Sequence, residues 1–231
     1  MRDYQLLIFD WDGTLVDSIA RIVTAMHQAS DLCGLPRRSD EAVKGIIGLA
    51  LPQAITTLYP ELGEAAHVER FHAAYSECYV ALDQTPSAFF EGVEQSLASF
   101  RAQGYQLAVA TGKSRRGLQR ILDTLGWQDY FDITRCADET ASKPDPWMLH
   151  EILQHCGVSA EQALMVGDSS FDLEMAQRAG MDSVAVGYGA QTLEALSLYE
   201  PKLSINHFTQ LSTWLSCTVA ETRTEEIEHV G

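Results

Sequence analysis

The sequence predicts an α/β fold in which a parallel sheet carries a small helical domain inserted after its first strand. Several short apolar segments rich in β-forming residues end abruptly in Gly, Asp or Thr, as buried strands of a parallel sheet do. Helical patterns alternate with the later segments. One connection, from Phe9 to Gln106, is far longer than an ordinary crossover and therefore predicts the insertion.

The predicted strands are residues 4–9, 106–110, 163–166 and 183–186. Helical patterns at residues 114–125, 146–155 and 171–179 occupy the connections between the later strands. Gly126, Gly157 and Gly180 stand where these helices should end. Ligands of such sheets bind at the carboxyl ends of the strands, so we expect the chemistry there.

The long connection shows helical patterns at residues 19–26, 42–47 and 68–79, with breaks at residues 34–36 and 48–52 and at Pro60. We therefore expect a core domain of residues 1–16 and 86–218 and a helical cap domain of residues 17–85. Residues 219–231 are expected to form a frayed acidic tail.

Composition excludes several classes of partner. The chain has 231 residues with 16 Lys+Arg against 32 Asp+Glu, a formal charge of −16, which disfavours nucleic acid and anionic membrane surfaces as partners.

The sequence contains neither an apolar stretch of about 18 residues nor a signal peptide, so a cytoplasmic location is expected. Five scattered cysteines without C-x-x-C spacing argue against a disulfide framework or a zinc knuckle.

Two carboxylates, Asp10 and Asp12, come directly after the first predicted strand. Residues two apart in extended backbone point to the same side, so both should face one crevice. Like charges this close need donors or a cation nearby, and a divalent metal would serve. The alternative is a strand that ends in a turn, with Asp12 and Gly13 supplying only turn chemistry.

Three further polar groups follow other predicted strands. Thr111 precedes Gly112 at the start of a helix, where a hydroxyl and backbone N–H groups can bind an anion, although Thr111 could simply cap that helix. Lys143 stands before a second helix, where a lone lysine is usually solvated. Asp168 and Asp172 stand at the start of a third helix. The alternative for these two acids is a favourable interaction with the positive end of the helix dipole. Together these groups suit phosphoryl transfer, which needs a nucleophile, a general acid, donors and Mg²⁺.

Four motifs in this order resemble the haloacid-dehalogenase superfamily, in the branch similar to phosphoglycolate phosphatase with a helical cap. They are Asp-x-Asp-Gly-Thr-Leu at residues 10–15, Thr-Gly at 111–112, Lys-Pro at 143–144 and Gly-Asp-x-x-x-Asp at 167–172. The resemblance covers nearly the whole chain and implies a Rossmann-like core. The sequence departs from the family pattern at position 11, where Trp11 replaces the usual aliphatic residue, and at residues 89–93, which read Phe-Phe-Glu-Gly-Val.

The resemblance also implies roles for the acidic residues. Asp10 would be the nucleophile and a Mg²⁺ ligand, and Asp12 the general acid and base, with its backbone carbonyl on the metal. Asp168 would bind Mg²⁺ directly, while Asp172 would support the metal site or orient Lys143. The acid at position 12 disfavours a dehalogenase, because dehalogenases lack it.

The remaining positions would bind the phosphoryl group. Thr111 would donate a hydrogen bond to it, with help from backbone N–H groups near Trp11, Asp12 and Gly112. Lys143 would hold both the nucleophile and the transferring phosphoryl group electrostatically. The triplet of residues 112–114, Gly-Lys-Ser, does not complete a Walker A loop, because Leu107 occupies the required glycine position.

The expected activity is therefore a Mg²⁺-dependent phosphatase for a small phosphorylated metabolite, either phosphoglycolate or a sugar phosphate. A sugar phosphomutase of the β-phosphoglucomutase type and a non-catalytic protein that binds phosphorylated metabolites remain alternatives. The chain is expected to be a monomer or a homodimer. Residues 44–49 either face the active site from the cap or merely break a helix, and Arg21 either meets a substrate carboxylate or is solvated.

Overall fold

Six parallel strands form one sheet in the computed structural model, which describes residues 4–83 and 85–216. In chain order the strands are β1 Leu6–Phe9, β2 Gln106–Thr111, β3 Ile133–Cys136, β4 Ala163–Gly167, β5 Asp182–Val186 and β6 Leu203–Ile205. Their order across the sheet is β3-β2-β1-β4-β5-β6, the Rossmann order with its switch point beside β1. The predicted α/β class and parallel sheet are confirmed.

Both faces of the sheet are buried. Leu7 and Phe9 of β1 pack into one apolar cluster, whereas Leu6 and Ile8 pack into another on the opposite face. Successive side chains of a strand point to opposite faces, so an uninterrupted apolar run is what a doubly covered strand requires.

The helices of the core domain are α5 Val93–Ala102, α6 Arg115–Leu125, α7 Trp147–Cys156, α8 Ser170–Arg178 and α9 Leu193–Leu196. Short 3₁₀ turns occupy Ala160–Gln162 and Ser197–Tyr199, and residues 209–216 are also helical. Gly126 and Gly157 end α6 and α7 in the left-handed conformation, as their positions predict. Pro146 lies just before α7 rather than inside it, and the Asp145 carboxylate accepts a hydrogen bond from the backbone N–H of Trp147.

Four helices lie between β1 and α5: α1 Ile19–Cys33, α2 Asp40–Lys44, α3 Leu51–Leu58 and α4 Ala65–Leu82. They share an apolar cluster that includes Met26, Ile55 and Phe71, separate from the two clusters of the sheet. The predicted helix at 42–47 stops at Lys44, and the predicted break at 48–52 overlaps the start of α3, because Pro52 fits a first helical turn. The domain boundaries at residues 16, 85 and 218 stay proposals.

Two features predicted from composition concern membranes and thiols. Within the described ranges, none of the helices has the length and apolarity needed to cross a membrane. Cys33, Cys78, Cys136 and Cys156 are free thiols. Cys217 and the predicted tail of residues 219–231 lie outside the described residues.

Candidate active site

The carboxyl ends of β1 and β4 bring the first and last motifs together. Phe9 lies opposite Val166 in the parallel register, and the backbone N–H of Asp10 donates to the Val166 carbonyl at 3.0 Å. After Asp10 the chain turns back, and the Trp11 carbonyl accepts from the N–H groups of Leu15 and Val16. This tight turn, rather than an extended backbone, holds Asp10 and Asp12 at the carboxyl end of β1.

Lys143 joins two of the predicted acids. Its Nζ donates to Oδ1 of Asp10 and to Oδ1 of Asp172, each at 2.6 Å, and all three side chains are almost fully buried. The other oxygen of Asp172 accepts hydrogen bonds from the backbone N–H and the hydroxyl of Ser169. Burial disfavours a charged lysine, but the two carboxylates outweigh that effect and raise the Lys143 pKa. The alternative that Lys143 is exposed to solvent is therefore wrong.

Asp168 is held from several sides. Its Oδ1 accepts from the Thr14 hydroxyl at 3.1 Å, and its Oδ2 accepts from the backbone N–H of Ala190 at 2.7 Å. Gly13, at φ +83°, lies so close that a Cβ there would stand 2.1 Å from Oδ2, and a Cβ on Gly189 would stand 2.3 Å from the same atom. Glycine at both positions is what allows the backbone to approach this carboxylate.

These acids fit a divalent cation. Asp10, Asp168 and Asp172 each offer an oxygen within 4.8 Å of the others, and carboxylates are the ligands that hard cations prefer. Burial, with repulsion from neighbouring carboxylates, raises the pKa of Asp10 to about 7 although Lys143 opposes the shift. The same causes raise the pKa of Asp168 well above its ordinary value. A bound cation would remove the electrostatic cost of keeping both ionised.

Asp12 lies beside a second lysine, Lys113, whose side chain is largely buried. Nζ of Lys113 donates to Oδ1 and Oδ2 of Asp12 at 2.9 and 2.8 Å, and the Ser18 hydroxyl donates to Oδ1 at 2.6 Å. The same Nζ lies 3.3 Å from the hydroxyl of Tyr79 on α4. Sequence reasoning missed Lys113, which it considered only as part of a rejected Walker A triplet. The signal was a cation directly after the predicted Thr-Gly anion site.

Thr111 ends β2 at the same edge of the sheet and is buried. It does not cap α6, because the Ser114 side chain fills that position by accepting from the backbone N–H of Gly117. The Thr111 hydroxyl instead accepts from the N–H of Lys113 at 3.2 Å. Gly112 packs against the connection between α2 and α3, since a Cβ there would lie 2.5 Å from the Gly48 carbonyl oxygen.

The segment of residues 44–49 reaches the crevice. The carbonyls of Gly48 and Leu49 lie against Gly112, and a Cβ on Gly48 would lie 2.8 Å from the Ser169 hydroxyl. The next backbone N–H, of Ala50, donates to the Ser142 hydroxyl at 2.8 Å. The part of this segment from Gly48 onward therefore faces the site, whereas Gly45 closes α2.

Arg21 takes neither of its expected roles. It pairs with the buried carboxylate of Asp83 and donates to the Thr85 carbonyl at 2.8 Å. Asp83 also accepts from Nη2 of Arg120 on α6 at 2.6 Å. The arginine thus bridges parts of the protein near residue 85 instead of meeting solvent or substrate, because a buried carboxylate requires paired donors.

The two departures from the family pattern are neighbours. Trp11 is fully buried and meets the rings of Phe89 and Phe131 edge-on, with centroids 6.2 Å apart in each case. Phe89 also stacks on Trp127 at 4.8 Å. The large residue in the Asp-x-Asp motif therefore packs against the large residue at position 89.

Comparison with known proteins agrees with this geometry. A family model described as haloacid dehalogenase-like hydrolase matches residues 7–186. A Dickeya dadantii protein named "Probable phosphatase IndB" is 36% identical over 211 residues, covering 89% of this chain and 91% of its own. A phosphoglycolate phosphatase of Vibrio cholerae is 31% identical over 210 residues, covering 87% of this chain and 92% of its own.

A solved structure described as a predicted phosphoglycolate phosphatase from Haemophilus somnus superimposes with a TM-score of 0.80 at 26% identity, covering 92% of this chain and 98% of that one. The sheet order, the four motifs at its carboxyl edge and a family match spanning most of the core agree. The chain belongs to the haloacid dehalogenase-like hydrolases.

Proposed function

We propose that this protein is a Mg²⁺-dependent phosphatase that hydrolyses small phosphomonoesters through an aspartyl-phosphate intermediate on Asp10. The observation that carries the proposal is the buried ammonium of Lys143, 2.6 Å from both Asp10 and Asp172. It orients the nucleophile and compensates charge at the point where a phosphoryl dianion must approach. The phosphatases among the similar proteins support the same reaction class.

The metal would be held by Asp10, Asp168 and the backbone carbonyl of Asp12. Asp168 suits direct coordination because no lysine or arginine in the described part of the chain pairs with it, whereas Lys143 already compensates the charge of Asp172. We assign Asp172 to holding Lys143. When bound, Mg²⁺ neutralises charge between the carboxylates and the phosphate.

In the first step an Asp10 oxygen attacks phosphorus while the bond from phosphorus to the leaving oxygen breaks. Lys143 donates to Oδ1 of Asp10 and so fixes the orientation of the attacking carboxylate. The Asp12 carboxylic acid donates its proton to the leaving alkoxide, releasing the alcohol. The Thr111 hydroxyl and the Gly112 N–H donate to the phosphoryl oxygens and stabilise the transition state.

In the second step Asp12, now a carboxylate, accepts a proton from water while that water attacks phosphorus. The bond between phosphorus and Asp10 breaks, phosphate leaves, and both aspartates return to their starting states. The inserted domain, whose Gly48 lies against Gly112, would exclude other water from the reacting atoms. A small metabolite is the partner we propose, and the expected cytoplasmic location stays a prediction.

Phosphate release from a panel of small phosphomonoesters, with Mg²⁺ and with EDTA, tests the proposal. The wild type should release phosphate only with Mg²⁺, and Asp10→Asn should release none. Glu174→Gln, on the exposed side of α8, is a control that should match the wild type. Isomerised sugar phosphate without free phosphate would indicate a phosphomutase, and an active Asp10→Asn would exclude the intermediate.

A further inference from the structure

Lys113 is a largely buried lysine that the reaction proposed above does not use. Its side chain is 11% exposed, and its Nζ contacts both oxygens of Asp12 and the hydroxyl of Tyr79. Lys143, the other buried lysine, is enclosed between two carboxylates. In the described part of the chain, Lys113 and Lys143 are the basic residues that form ion pairs with an acid of the proposed active site.

The position of Lys113 follows from the role of Asp12. A general acid must come within about 3.2 Å of the leaving oxygen. Nζ lies 2.8 Å from the Asp12 carboxylate, so it stands within about 6 Å of that oxygen. Lys143 contacts the nucleophile instead. Lys113 is therefore the cation on the leaving-group side of phosphorus, within reach of a substituent one carbon from the leaving oxygen.

The inserted helices place the aromatic ring of Tyr79 beside this cation. Nζ lies 4.8 Å from the centre of the Tyr79 ring, and the Tyr75 ring lies 5.9 Å from that of Tyr79. Tyr79 also belongs to an apolar cluster with Ile22 and Ile47. A bound sugar with several hydroxyl groups needs a hydrogen-bond partner for each of them. A compact anionic group needs only one cation and a close-fitting apolar surface around it.

We propose that Lys113 is a specificity-determining residue that binds a carboxylate on the leaving group, so that the substrates are phosphomonoesters of small hydroxy acids. This inference rests on the proposed phosphatase function. An ammonium has three N–H donors, which now serve the two oxygens of Asp12 and the hydroxyl of Tyr79. The substrate carboxylate replaces one acceptor while Asp12 keeps another. Phosphoglycolate, the ester named for the Vibrio cholerae relative, belongs to this class.

The test compares phosphoglycolate with phosphoglycolamide, an analogue of nearly equal size in which an uncharged amide replaces the carboxylate and the phosphate is kept. We expect the wild type to prefer the carboxylate in kcat/KM by at least about tenfold, the effect of one charge-assisted hydrogen bond. Lys113→Met should lose that preference, mainly through a higher KM for phosphoglycolate, and Lys113→Arg should restore part of it. Lys202→Met, which changes an exposed lysine, should keep the full preference.

The outcomes separate this inference from the proposed function. If the wild type hydrolyses neither ester, the phosphatase proposal fails and the inference fails with it. If the wild type hydrolyses both, an unchanged preference in Lys113→Met refutes only the role of Lys113. An equal loss on both esters also refutes that role and makes Lys113 a positioning residue for Asp12. Thermal unfolding of each variant identifies a loss that comes from misfolding.

Discussion

Replacing Lys143 with methionine tests the electrostatic centre of the site. Methionine has nearly the same length but no charge, so Lys143→Met leaves Asp10 and Asp172 buried without their shared cation. The side chains of all three residues are at most 3% exposed, and both ion pairs measure 2.6 Å. Removing one partner of a buried ion pair costs about 3–5 kcal/mol, because the remaining charge loses both water and its partner.

For a chain of 231 residues, each kcal/mol changes the unfolding midpoint by about 2–4 °C. Lys143→Met should therefore lower the midpoint of the metal-free protein by roughly 6–20 °C. The defect should shrink toward about pH 5, because Asp10, whose pKa is already raised by burial, takes up a proton and no longer needs a cation. Adding Asp172→Asn to the variant should recover part of the loss.

The assay is urea and thermal unfolding followed by circular dichroism in EDTA, with phosphate release measured in parallel. Arg178→Met is the matched control, since it breaks an ion pair with Glu174 on the exposed face of α8 and should cost no more than about 1 kcal/mol. If Lys143→Met loses no more stability than this control, or keeps turnover, the assignment of Lys143 is wrong.

Three further predictions concern the catalytic acid, the close turn and the metal. Asp12→Asn should slow phosphate release by about 10²–10⁴-fold while Mg²⁺ binding by calorimetry stays unchanged, and normal turnover would remove Asp12 from proton transfer. Gly13→Ala should lower the free energy of unfolding in urea by about 1–3 kcal/mol or more, because position 13 has a positive φ and an added Cβ would collide with Asp168. Gly63→Ala, where the added Cβ meets open space, should leave the free energy of unfolding unchanged. Because folding raises the pKa of Asp10 from 3.8 to about 7, the unfolded state ionises first and the metal-free protein should lose stability as pH rises through that window. Mg²⁺ should then raise the unfolding midpoint more at pH about 8 than at about 5, and an equal shift at both would contradict the metal site.

The sequence predicted the central strands and missed the two edges of the sheet. β1, β2, β4 and β5 are covered on both faces, so each reads as a continuous apolar run. β3 and β6 lie at the edges, where Arg135 and Ser204 interrupt the pattern and few residues need burial. Periodicity detects burial rather than hydrogen bonding, so short edge strands escape it.

The partners of two charged side chains, Arg21 and Lys113, were also beyond the sequence. Arg21 was expected to meet substrate or solvent, yet it pairs with Asp83, which Arg120 also contacts across 37 positions of sequence. Lys113 is adjacent to the predicted anion site, but its partner Asp12 lies 101 positions away. No local pattern encodes which distant carboxylate a lysine will find.

The sequence by itself determined the fold class and the polar groups at the strand ends, because strand burial and motif spacing are written locally. The motif resemblance already implied that Lys143 meets Asp10 and Asp172, and the structure shows both ion pairs. Only the tertiary structure decided that Lys113 pairs with Asp12 and that Arg21 pairs with Asp83. Pairing depends on which strands are neighbours in the sheet and on how the inserted helices close over its edge. Burial then makes each pairing matter, because an ion shut off from water needs its partner nearby.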